Sequence, residues 1–135
     1  AEAAVVMARK SGIEDVLALA QSSRGKAALA TQAGADALQW FQQAEQGFSR
    51  SGIWDGLMDV SLHLARIHES LGNMRFAAFY LRSAVDAVDH VVRQLRDENN
   101  KRIFMMDPRR QELLHAVRDF RERVSQQYPQ GAGKG

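Results

Sequence analysis

Apolar residues recur along this chain at intervals of three and four, with polar residues between them, as in helices that each hide one face. Leu57, Val60, Leu64 and Ile67 form one such stripe, and Leu38, Phe41, Ala44 and Phe48 form another. Ala77, Leu81, Ala84 and Val88 make a third, continuing to Val92 or Leu95. Ile13, Val16, Leu17, Ala20, Ala27 and Ala28 precede them, and Leu113, Leu114, Val117, Phe120 and Val124 follow. Turn signals interrupt the stripes at Ser11-Gly12, Gln32-Ala33-Gly34, Ser51-Gly52, Gly72-Asn73 and Asp97 to Asn100. The pattern predicts helices over 1–10, 13–31, 35–50, 53–71 and 75–96, and a short one over 101–106. A last helix opens at Asp107-Pro108, an acidic cap followed by a proline whose missing N–H is harmless in the first turn, and runs to Gln127. Residues 128–135, rich in glycine, read as a flexible tail.

The stripes repeat at a fixed interval. Lys10-Ser11-Gly12-Ile13-Glu14-Asp15 returns forty residues later as Arg50-Ser51-Gly52-Ile53-Trp54-Asp55. Gly25 and Ala65, Ala37 and Ala77, Trp40 and Tyr80, Phe41 and Leu81, and Ala44 and Ala84 share the same phase. A period of this length marks stacked supersecondary units, each covering the apolar face of its neighbour. The expected organisation is one helical domain over 1–127, composed of a half repeat (1–10), two repeats (13–50 and 53–96) and closing helices (100–127). Small residues at Gly25, Ala28, Ala37, Ala65, Ala77 and Ala84 fall where paired helices would cross and let the backbones approach. The opening segment looks like the end of a repeat whose first helix is missing. The chain is therefore expected to begin inside a longer stack and to leave an apolar end through which it self-associates.

Composition narrows the chemistry. With 135 residues, 45% of them apolar and 25% charged, the chain has the makings of an ordinary globular core. The absence of cysteine removes disulfides and thiolate metal sites and fits a reducing, cytoplasmic setting. No apolar run approaches the roughly 18 residues of a membrane span, and Ala1 to Met7 lacks the basic leader of a signal peptide. His63, His68, His90 and His115 are the only histidines, and the closest ligand spacing, Asp86 with His90, falls short of the three or four ligands of a zinc site. No metal or cofactor is expected. Nor does any nucleophile motif occur, and Gly131 to Gly135 lacks the spacing of a phosphate loop, so the chain reads as non-enzymatic.

Taken as a set, Leu64-Ala65, His68, Gly72-Asn73-Met74, Ala77, Leu81 and Ala84 resemble the tetratricopeptide repeat (TPR). Gly25, Ala28, Gly34, Ala37, Phe41 and Ala44 repeat the match one unit earlier, so the resemblance covers about residues 1–96. The forty-residue period is longer than the family's usual unit. The usual closing proline is absent, with Ser49 and Asp89 in its place. The long-period form is similar to TPR regions of large bacterial signalling and regulatory proteins, MalT-like regulators among them, and Phe104 to Arg110 resembles the stretch that closes such arrays. The resemblance implies an all-α fold, a right-handed α-solenoid of antiparallel helical hairpins with a C-terminal capping helix.

It also implies a concave groove lined by the first helices of the repeats. Ser22, Lys26 and Leu29 would face it from one unit, and Asp59, Leu62, His63, Arg66 and Glu69 from the next. Lys26 and Arg66 share a phase and could together hold a carboxylate, so the expected partner is a protein or peptide, plausibly acidic. The competing reading pairs these cations with Asp59 or Glu69 as ordinary surface ion pairs. The Lys and Asn pattern of the family's two-carboxylate clamp is missing. Trp54 repeats the position of the polar Glu14 and is expected either as an exposed contact hot spot or packed onto the preceding helix end. Trp40, Phe41, Phe48, Phe76, Phe79 and Tyr80 lie at helical spacing and read as core. Net charge is +2, divided as −2 over residues 1–90 and +4 over 91–135. Arg93, Arg96, Lys101, Arg102, Arg109, Arg110, Arg118, Arg121 and Arg123 therefore supply the alternative function, nucleic-acid binding by the basic C-terminal helices.

Overall fold

The computed structural model describes the backbone of residues 2–127 and the side chains of residues 12–127. The predicted tail at 128–135 and the side chains of the 1–10 segment lie outside the described residues. Every element is a helix: α1 (Glu2–Ala30), α2 (Gly34–Ser51), α3 (Trp54–Ser70), α4 (Met74–Gln94), α5 (Glu98–Met105) and α6 (Pro108–Gln127). The chain divides into two compact units, Ala1–Arg93 and Gln94–Gly135.

In the first unit, helix ends recur with one geometry. Gln32, Gly52 and Gly72 adopt left-handed φ values of 61°, 70° and 79°. At the first of these the amide of Gln32 donates to Leu29 O (3.0 Å), and that of Ala33 donates to Ala28 O (2.8 Å). Forty residues on, Gly72 donates to Glu69 O (3.0 Å) and Asn73 to His68 O (2.8 Å). This Schellman-type closure satisfies carbonyls that a helix end would otherwise leave orphaned. Glycine takes the left-handed conformation without a Cβ penalty; glutamine at 32 does not.

The contacts that join the helices step up one as they step down the next. Ala18 meets the backbone position of Gly47, Gln21 hydrogen-bonds Gln43 (3.1 Å), and the position of Gly25 abuts the Phe41 ring. Phe41 in turn stacks on His63 at 4.8 Å, while Phe48 abuts Gly56. From α3 to α4, Trp54 meets His90 with its ring tilted, and His68 stacks with Phe76 and Tyr80. Bulk is matched to gap: a Cβ added at Gly25 would lie 2.8 Å from the Phe41 ring, and one at Gly56 would lie 2.6 Å from the Phe48 ring. Both phenylalanines are fully buried, so neither ring has room to withdraw.

Burial repeats as faithfully as the turns. From Gln39 to Arg50 and from Phe79 to His90, buried, half-buried and exposed positions follow in the same order at every place, though only Ala44 and Ala84 are the same residue in both. Packing geometry, rather than residue identity, sets which positions are covered.

Three expectations change. The break at Ser11-Gly12 does not occur, and α1 runs unbroken through both. A glycine inside a helix costs only about 1 kcal/mol, and no described atom lies within 4 Å of a Cβ placed at Gly12. In α1 the buried face is also not the stripe of Ile13, Val16 and Leu17, which are exposed, but the small-residue face of Ala18, Ser22 and Gly25, because only small residues admit α2 so closely. Phe76 and Phe79, expected in the core, are 57% and 61% exposed; the places they repeat, Asp36 and Gln39, are exposed too.

In the second unit, Asp97 caps α5 by accepting from the Asn99 amide (3.0 Å), so the helix starts at Glu98 rather than at the expected Lys101. Asp107 caps α6 as its Asp-Pro pair predicts, accepting from the Arg109 amide at 2.9 Å. Of the α6 stripe, Leu113 is buried and Leu114 is exposed.

Gln32→Gly should raise the unfolding free energy by about 0.5–1 kcal/mol, and Gly72→Ala should lower it by about 1 kcal/mol, both read from urea midpoints at constant slope. Gly25→Ala tests the crossing: helix propensity alone would add about 1 kcal/mol of stability, whereas overpacking against Phe41 removes about 1–3 kcal/mol, so a lower midpoint is expected.

Candidate functional site

The groove expected between the first helices is built around Asp59. Its carboxylate receives Lys26 Nζ of α1 at 3.0 Å and faces His63 Nε2, one turn further along α3, at 3.7 Å. The contact links α1 to α3 through their side chains. His63 is oriented from behind, its ring lying flat on Phe41 with an interplanar angle of 2°. That phenylalanine therefore spaces α1 and also positions the imidazole.

Not all of the expected lining reaches solvent. Ser22 and Leu62, which share a phase, are 6% and 4% exposed and belong to the packing beneath the surface. Leu29, Asp59, His63 and Glu69 are half-buried, and Lys26 and Arg66 are exposed. The two cations do not act as a matched pair for one carboxylate, because Lys26 is already engaged by Asp59. An ion pair this exposed contributes at most about 1 kcal/mol. Its larger effect is to balance charge locally, since Lys26 and Arg66 stand among Asp59 and Glu69 on the same two helices. Sequence reasoning named these residues through a repeat phase, but phase cannot show which neighbour a flexible lysine selects.

Trp54 is half-buried, its ring 4.0 Å from that of His90. The ring it meets lies on α4, whereas the packing expected for it was onto the end of the preceding helix. The sequence reading missed the cluster at the other end of the same hairpin. His68 is buried between the rings of Phe76 (5.2 Å) and Tyr80 (5.5 Å), with Phe79 edge-on to Tyr80. Its Nδ1 lies 3.5 Å from Asn73 Nδ2, and its Nε2 is buried without a hydrogen-bond partner. Burial holds the imidazole below its ordinary pKa. Burial pushes the Tyr80 hydroxyl up, aided by Glu45 of α2, while Gln42 hydrogen-bonds it. Glu45 is itself raised by burial. The spacing of His68, Phe76 and Tyr80 around the Gly72 turn was a signal for this cluster.

The basic residues of the second unit are partly committed to its own fold. Arg110 is buried, with its guanidinium 3.9 Å from the Phe104 ring centroid and 3.1 Å from Asp107. Arg109 also reaches Asp107, Arg102 donates to Asn99 Oδ1 (2.7 Å), and Lys101 pairs with Glu98 (3.3 Å). Among the described residues no three His, Asp or Glu side chains gather as a metal site would need, and no helix is long and apolar enough to cross a membrane. No protein-family model matches the chain, and no curated protein or solved structure does.

His68 sets a pH dependence whose sign follows from its environment. The folded pKa is below the unfolded value of 6.5, so between the two the unfolded chain binds more protons and stability rises with pH. Thermal midpoints should therefore fall on acidification below about pH 6.5, the ordinary histidine value. His68→Phe should flatten that fall relative to the parent; a parallel curve would assign the acid loss to other groups.

Proposed function

We propose that the chain is a non-catalytic protein-binding module of TPR type. In this reading α1 with α2 and α3 with α4 are successive hairpins of a right-handed solenoid, and the exposed flank of α1 and α3 receives an extended peptide. One observation carries the reading: the same helix closure and the same order of burial recur at forty residues on largely different side chains. Stacked repeats require this, because each unit covers its neighbour through equivalent positions. The adjacency of α1 and α3 through Lys26 and Asp59 supports a continuous surface of first helices. A cytoplasmic signalling or regulatory protein of bacterial type is the setting in which the resemblance places such a module.

The balanced charges favour a peptide that offers both a carboxylate and a donor over a uniformly acidic one. Arg66 would engage the carboxylate, and Asp59 and His63 would supply polar contacts beside it. The nucleic-acid alternative gains no support from basic residues that bond within their own unit, Arg110 above all. The test is fluorescence polarisation with labelled ten-residue peptides of acidic, mixed-charge and neutral composition. A mixed-charge peptide should bind, lose about tenfold in affinity on Arg66→Glu, equivalent to about 1.4 kcal/mol, and keep its affinity on Arg121→Glu in the other unit. A panel without binders, or equal effects of the two substitutions, overturns the proposal.

A further inference from the structure

Asp59 stands between two basic side chains and meets each with a different oxygen. Its Oδ2 receives Lys26 Nζ of α1 at 3.0 Å, and its Oδ1 faces His63 Nε2 at 3.7 Å. The first is an ion pair in contact. The second is too long for a hydrogen bond and leaves Oδ1 open to a donor from outside. Stacking on the buried Phe41 holds the imidazole beside this carboxylate. Histidine is the side chain that ordinarily changes charge near neutral pH, so this pairing is the part of the flank that a proton can alter.

The charged groups around the imidazole come from two of the three helices that meet it. On α1 there is Lys26, and on α3 itself Asp59 lies one turn before His63 and Arg66 three residues after it. From α2 comes the uncharged Phe41 ring, while the carboxylate of Glu45 on that helix acts on Tyr80 of α4. With His63 neutral the charges of the flank cancel, Lys26 and Arg66 against Asp59 and Glu69. One proton on His63 takes the flank to a net charge of +1. It also puts a second cationic N–H against Asp59, and a shift of about 1 Å makes it a charge-assisted hydrogen bond. Asp59 is then neutralised from both sides and becomes a weaker acceptor for a donor on an incoming peptide. Lys26, which now shares its counter-ion, is freer to meet a carboxylate. From this arrangement, and resting on the peptide-binding reading of the same flank, we infer that His63 is a proton switch for the class of peptide bound. The neutral site takes a peptide that offers both a carboxylate and a donor; the protonated site takes an acidic one.

Fluorescence polarisation with acidic and mixed-charge peptides at about pH 5.8 and about pH 7.8 tests the switch, since peptide carboxylates, with ordinary pKa values near about 4, stay ionised at both. Affinity for the acidic peptide should rise about fivefold at the lower pH, the effect of one further charge at contact distance in water, and affinity for the mixed-charge peptide should not. His63→Gln should remove the rise, and His115→Gln in the other unit should keep it. Asp59→Asn should bring the acidic preference to the higher pH, which tests the charge balance even if glutamine at 63 disturbs the packing on Phe41. In the peptide-free chain, Asp59→Asn should lower the midpoint at which the ring-proton resonance of His63 titrates, a readout that does not depend on binding. An unchanged preference at the two pH values, a rise that survives His63→Gln, or an unmoved midpoint overturns the inference and leaves the peptide-binding reading standing. Absence of binding at either pH overturns both.

Discussion

Phe41 seats its ring over Gly25 on one side and against His63 on the other, and the arrangement of the first three helices depends on that placement. A ring of this size between helices is tolerable only where a neighbour gives up its side chain, and Gly25 does so completely. Phe48 over Gly56 repeats the solution one helix further on. Since dense interiors transmit strain, these two contacts fix how closely the backbones run and where every other side chain on the facing surfaces must lie. The polar Gln21–Gln43 bond adds register to the same crossing with little change in net stability.

Close packing through small residues also explains which surfaces are left for function. When α2 sinks onto the Ala18, Ser22 and Gly25 face of α1, the bulkier aliphatic stripe of α1 is turned out, and Lys26 is brought to Asp59 on α3. The groove and the exposed stripe are thus consequences of one packing decision. Ser22 and Leu62, expected on the groove, lie buried beneath that surface.

Charge follows geometry in both units. Lys26, which would be a free cation on an isolated helix, is paired because α3 arrives with a carboxylate at the right height. In the second unit, Asp107 combines helix capping with anchoring of Arg109 and Arg110, and its own carboxyl is held below the ordinary value, chiefly by the Arg109 amide. Arg110 lies over Phe104 and is buried, so its contribution to the basic charge of residues 91–135 is structural. A count of cations along a sequence overstates a binding surface wherever an acidic or aromatic neighbour captures them.

Local chemistry along the chain determined the helical class, the closures at Gly52 and Gly72, the Asp-Pro start of α6 and the forty-residue phase, because glycine, proline and capping side chains act within a few residues. The buried stripe of α3 was legible as well, since its apolar residues are also its best-fitting ones. Tertiary packing decided that Ala18, Ser22 and Gly25, rather than Ile13, Val16 and Leu17, would form the buried face of α1, and that Phe76 and Phe79 would stay outside while alanines went in. In both, hydrophobicity pointed one way and steric fit the other; fit prevailed because helices held as close as Gly25 and Phe41 leave space only for what the opposing surface allows.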